Sequence, residues 1–167
     1  MLEEYMIFII VGQEKFCFNR LLKIIDDGIR DKIIQDDVFA QIGNSNYIPS
    51  QYAYEKFLPF EMVINKIKSS KIIVTHAGVG STLVCFSLGK FPILFPRYNL
   101  FKEHIDDHQV EFANRMEQEK LVLVAHDKQE LLNKIQNYDK LIQEIKHRER
   151  AVESNGLIRY LNKVIEG

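Results

Sequence analysis

The segment Lys71-Ile72-Ile73-Val74-Thr75, followed at once by the glycine-rich turn His76-Ala77-Gly78-Val79-Gly80-Ser81, constrains this chain more than any other feature. A strand with one face in water alternates apolar and polar residues. This one is continuously apolar at its centre, so it reads as a strand buried on both faces, of the kind found in parallel sheets covered above and below by helices. Ser81 to Leu88, after the turn, is the first such helix.

The rest of the chain supplies matching units. Met6 to Val11 is a second apolar strand, and after Gly12 the spacing of Phe18, Leu21, Leu22, Ile25 and Ile29 predicts an amphipathic helix. Val38 to Ile42 predicts a strand closed by the turn residues Gly43-Asn44-Ser45-Asn46. Tyr52 to Phe57 suggests a short strand, and Phe60 to Lys68 a helix with Met62, Val63, Ile64 and Ile67 turned inward. Pro92 to Phe95 and Leu121 to Val124 add strands on either side of a helix from about Asp107 to Gln118. Strands alternating with helices predict an α/β fold, a Rossmann-like parallel sheet with helices on both faces.

Beyond Asp127 the chain turns helical and charged, with an apolar stripe of Leu131, Leu132, Ile135, Leu141, Ile142 and Ile145. Asn155-Gly156 interrupts it, and Leu157 to Ile165 forms a last helix. These helices pack on the sheet in one reading and dock part of their face on a second protein in the other. A length of 167 residues suits one domain, 1–167, with 128–166 as a C-terminal helical extension.

Charge narrows the range of partners. With 22 basic against 23 acidic residues, the net charge of −1 gives no positive field for a phosphate backbone, so no nucleic acid is expected. Cys17 and Cys85 lie far apart in apolar stretches and read as two buried thiols in a reducing cytosol. Met6 to Val11 is too short for a signal or membrane segment and follows acidic Glu3-Glu4. No apolar run approaches the roughly 20 residues that span a bilayer, which predicts a cytoplasmic chain whose membrane work is done through a partner.

Two segments carry chemistry. In the turn from His76 to Ser81, glycines let the backbone approach a ligand, and the following helix aims unpaired N–H groups at the mouth. This is either an anion site or a tight strand-to-helix connection; it lacks the Lys-Ser/Thr of a P-loop and the full dinucleotide spacing. The second is Glu103-His104-Ile105-Asp106-Asp107-His108-Gln109, after Phe95-Pro96-Arg97. Here a helix cap from Asp106 or Asp107, a ligand contact, and a metal held by His104 and His108 are the alternatives, the last without a third ligand. Both segments follow strand ends, where open α/β sheets bind ligands.

Gly12, Phe18-Asn19-Arg20-Leu21, Gln41-Ile42-Gly43, the His-x-Gly-x-Gly-Ser turn, Gly89-Lys90 with Pro92, Pro96-Arg97 and Glu103-His104-x-Asp-Asp-His-Gln together resemble the glycosyltransferase family 28 C-terminal domain. More narrowly, the chain resembles the small subunits of two-part glycosyltransferases of N-glycan assembly and bacterial exopolysaccharide synthesis, over about Met6 to Leu123.

The resemblance implies the donor-binding half of a GT-B enzyme, with a UDP-sugar as donor substrate and no obligatory cofactor or metal. Gly12, Gly78, Gly80, Ser81, Arg97, His104, His108 and Gln109 would bind the donor, with Gly78, Gly80 and Ser81 on the diphosphate and His108 and Gln109 on the sugar or ribose. His76, Glu103 and Asp107 would form the catalytic set. Backbone donors would stabilise the diphosphate leaving group, with positive charge from Arg97 or His76. Glu103, Asp106 and Asp107 are carboxylates that could serve as the base, but the resemblance places the acceptor's base in the partner half of the cleft. The implied reaction inverts configuration. A membrane-anchored partner subunit would recruit this chain to the cytoplasmic face of the membrane and bring a lipid-diphosphate-linked acceptor.

Two departures stand out. Ala77 occupies a position where the family often has glycine, and Val84 stands where related enzymes usually carry a glutamate that holds the ribose hydroxyls. A lost charged hydrogen bond of that kind costs about 1.5–3 kcal/mol. Val84 favours the alternative of a non-catalytic partner that stabilises or positions another glycosyltransferase subunit. A nucleotide-dependent oxidoreductase would need a glycine fingerprint after the first strand, where this chain has Val11-Gly12-Gln13-Glu14.

Overall fold

The computed structural model describes residues 6–120 and 122–151, with Lys163 and Glu166. Six parallel strands form one sheet: β1 (Met6–Ile10), β2 (Asp37–Gln41), β3 (Ala53–Glu55), β4 (Ile72–Thr75), β5 (Ile93–Leu94) and β6 (Leu123–Val124). Their order is β3-β2-β1-β4-β5-β6. Strand order therefore reverses between β1 and β4, which pair from Ile7 with Ile72 to Ile10 with Thr75. At such a reversal the loops leaving two neighbouring strands diverge to opposite faces and open a crevice between them.

The alternation of side chains along β1 separates two layers. Ile7, Ile9 and Val11 pack with α1 (Asn19–Arg30), α5 (Lys128–Gln136) and α6 (Tyr138–Ala151). Phe8 and Ile10 face the other way, onto Ile67 of α2 (Phe60–Ser69) and Cys85 of α3 (Val79–Ser87). On that second face α4 (His108–Gln118) covers β5 and β6 through Phe112, Ala113 and Met116. A Rossmann-like sheet with helices on both faces is thus what the alternating pattern produces.

Several boundaries move. The helix after β4 begins at Val79, inside the glycine turn rather than after it, because Gly78 is its extended N-cap residue. Met62, expected inward, is exposed; only Ile67 of α2 is fully buried, with Val63 and Ile64 half-buried. The C-terminal stripe is divided at Asn137, whose side chain donates to the Asn133 carbonyl and ends α5. Leu121, the Asn155-Gly156 break and the helix expected from Leu157 to Ile165 lie outside the described residues.

Candidate functional site

A crevice of about 540 Å³ opens where β1 and β4 end. The loop after β1 contributes Gly12, Gln13 and Glu14, the β4–α3 turn contributes His76, Gly78, Gly80 and Ser81, and α4 contributes Gln109. Phe60, Val63 and Ile67 of α2, with Val84 of α3, form the remaining wall.

The N-terminus of α3 lines the crevice. No side chain caps it. The amides of its first turn, Val79, Gly80 and Ser81, have no acceptor within the helix and carry the positive end of its dipole, a favourable place for an anion. Gly80 is needed neither for backbone nor for packing: a Cβ there would meet nothing within 4 Å. Its missing side chain keeps the mouth of the helix open.

Gly12 and Gly78 act differently. A Cβ on Gly12 would stand 2.5 Å from His76 Nε2, and one on Gly78 would overlap the same ring. The two glycines hold the imidazole of His76 between them as the floor of the crevice. Nε2 of His76 lies 3.3 Å from Ser81 Oγ, and its buried Nδ1 has no partner. Burial, then the nearby Arg97 guanidinium, lower the pKa of His76 to about 3, against a smaller opposing pull from Gln109. The ring is neutral, which corrects the expectation that His76 adds positive charge.

Arg97 is buried beneath the site and does not line it. Its guanidinium donates to the carbonyls of Phe16 (2.9 Å), Glu103 (3.0 Å) and Val11, and lies over the Phe18 ring. Burial pulls its pKa down to about 10, so it stays charged at neutral pH. It ties the loop after β1 to the loop after β5. Gln109, whose side-chain oxygen accepts from the Arg97 amide at 3.2 Å, is fixed by the same assembly and does reach the crevice.

The 103–109 loop is therefore divided. The Glu103 carboxylate is buried and engaged by Arg20 Nε (2.8 Å), Arg20 Nη2 (3.0 Å) and the Tyr98 amide (3.0 Å). With both oxygens engaged it anchors the loop, and it does not line the crevice. Asp107 accepts from the Asn99 amide at 2.9 Å, bracing the 3₁₀ turn Asn99–Phe101, and does not line the crevice. Asp106 does the capping, accepting from the His108 amide at 3.0 Å. Its two oxygens also meet His104 Nδ1 (3.0 Å) and His108 Nδ1 (3.2 Å). His104 and His108 are outside the crevice lining, and among the described residues no three side chains gather to hold a metal.

Of the residues expected at the site, then, Gly12, His76, Gly78, Gly80, Ser81 and Gln109 converge, while Arg97, Glu103, His104, Asp107 and His108 support or border them. Glu14 and Gln13 were missed. A polar residue two positions beyond a strand-ending glycine resembles any solvated loop residue, and only its place after β1 marks it. Glu14 is the one carboxylate among the described residues that line the crevice. Phe60, a mostly exposed aromatic at a helix start, offered a similar faint signal.

A model of the glycosyltransferase family 28 C-terminal domain matches residues 6–161. Among solved structures, the calicheamicin glycosyltransferase CalG4 superposes with a TM-score of 0.58 at 14% identity, over 98% of this chain and 43% of that one. Acinetobacter baumannii MurG superposes at 0.57 and 15% identity, over 98% and 51%. The glycosyltransferase VinC in complex with DTDP superposes at 0.51 and 16% identity, over 97% and 42%. The chain thus spans between two fifths and half of the length of these structures. No curated protein sequence matches it.

Proposed function

Because the chain belongs to the glycosyltransferase family 28 C-terminal domain family, we propose that its crevice binds the nucleoside diphosphate of a UDP-sugar and that the chain is the donor-binding, catalytic subunit of a two-part inverting glycosyltransferase. The observation that carries this is the uncapped start of α3 opening on the crevice past a bare Gly80. The amides of Val79, Gly80 and Ser81, unpaired within the helix, meet the crevice at one point, the start of α3, an arrangement that suits a diphosphate. They are oriented before any ligand arrives, so they can stabilise the charge that grows on the leaving diphosphate without reorganisation.

His76 supplies a neutral imidazole beneath that point, and Gln109 and Ser81 supply polar contacts beside it. Glu14, which lines the crevice, would accept from hydroxyls of the donor sugar. A membrane-anchored partner subunit would supply the facing wall and a lipid-diphosphate-linked acceptor. Among the described residues no helix is long and apolar enough to cross a membrane, which suits a division of labour in which the partner provides the anchor. A DTDP complex of VinC, which shares the fold, is in keeping with a nucleoside diphosphate site.

Calorimetric titration of UDP and of a panel of UDP-sugars into the purified chain tests the donor site, with Gly80→Leu as the control that should bind each at least about tenfold more weakly. Equal binding by both proteins would end this reading. Transfer assays with and without the partner test the two-part model; vigorous transfer by the chain alone would contradict it.

A further inference from the structure

The crevice is chemically two-sided. On the side of Gln13, Glu14, Ser81 and Gln109 it offers hydrogen-bonding groups. On the other side α2 and α3 face each other across Val63, Ile67 and Val84, with Ile10 of β1 beneath; these belong to one apolar cluster with Phe8 and Cys85. Val84 lies one helical turn beyond Gly80 on the same face of α3, since residues four apart share a face. A nucleotide whose phosphates meet the amides at Val79 to Ser81 and whose nucleoside enters between α2 and α3 must therefore lay its pentose on this wall.

Among the described residues, Val63, Ile67 and Val84 give that wall no carboxylate to receive the protons of a pentose hydroxyl. Gln41 at the end of β2, the polar side chain that lines the crevice beside it, is held by the Leu58 amide, from which its side-chain oxygen accepts at 2.9 Å. A site that reads a hydroxyl does so by leaving a buried polar group unpaired when the hydroxyl is missing; an apolar wall has no such group, and so rejects the deoxy analogue weakly. We propose that this crevice does not distinguish ribonucleoside from 2′-deoxyribonucleoside diphosphates, Val84 being the residue that sets this tolerance. The inference rests on the nucleotide-sugar reading of the site.

The probes are UDP and 2′-deoxyuridine diphosphate, which differ only in the hydroxyl at issue, titrated into the full chain. Dissociation constants within threefold of each other are expected. Tenfold or stronger preference for UDP would overturn the inference while leaving the nucleotide reading intact. Binding of neither would overturn both. Val84→Glu, and Val84→Gln as a version without added charge, should each introduce a preference for UDP of fivefold or more, with circular dichroism confirming the native fold. Variants that fold and bind both probes with an unchanged ratio would show that the pentose lies elsewhere and would overturn the inference.

Discussion

His76 rests its imidazole on the bare Cα of Gly12, so closely that a Cβ at residue 12 would stand 2.5 Å from Nε2. Gly12 also has φ of +82°, a conformation that costs a residue with a Cβ roughly 1–2 kcal/mol. Gly12→Ala should therefore lose at least that much stability and push His76 toward the α3 N-terminus. Thermal denaturation with a parallel UDP titration checks both. A fully stable variant with unchanged affinity would mean that the ring does not form the floor of the binding site.

Gly80 should behave in the opposite way. It sits in the first turn of α3 with open space where a side chain would go, so Gly80→Ala improves helix propensity by up to about 1 kcal/mol. The midpoint of melting should hold or rise. Gly80→Leu should keep the fold and weaken UDP binding at least tenfold, about 1.4 kcal/mol. Loss of fold in either variant would make the glycine structural after all.

The sheet was legible because β1 and β4 carry uninterrupted apolar residues, and strands buried on both faces admit few alternatives. The glycine turn was legible for the same local reason: its function lies in backbone geometry, which nearby residues dictate. The 103–109 loop was not. Its density of charge is the same whether a carboxylate faces a ligand or an arginine. What decides the matter is Arg20, 83 residues away in sequence, which claims Glu103. Nor could periodicity show that Met62 would stay exposed beside half-buried Val63.

Glu103→Ala tests that reassignment. Removing the carboxylate takes the only acidic partner from the Arg20 guanidinium among the described residues, leaving it the carbonyls of Pro96 and His126, and frees the Tyr98 amide. Breaking such a pair from one side costs about 3 kcal/mol. Urea denaturation should report that loss, and Glu103→Gln should recover part of it by keeping hydrogen-bond acceptance. A catalytic base would instead leave stability unchanged and abolish transfer.

Gln109→Ala separates holding from contact. The side-chain oxygen accepts from the Arg97 amide, so its removal leaves that buried N–H unpaired at a cost of about 1–3 kcal/mol. If Gln109 also touches the donor, UDP-sugar affinity should fall by more than UDP affinity does. Equal loss for both ligands would confine Gln109 to a positioning role.

The pH dependence of stability should carry the signature of His76. In the unfolded chain an imidazole titrates near its ordinary value of 6.5, whereas burial holds the folded group down to about 3. Between those values the unfolded state binds the extra proton, so stability is greatest above pH 6.5 and falls as pH is lowered toward 3. The slope from one such group is at most about 1.4 kcal/mol per pH unit. His76→Gln, neutral at every pH, should flatten the decline across this window in chemical denaturation series, while above pH 7 the two proteins differ by a constant amount. Parallel curves through the window would mean that His76 takes up its proton while the protein is folded, and the crevice floor would then carry positive charge under acid conditions.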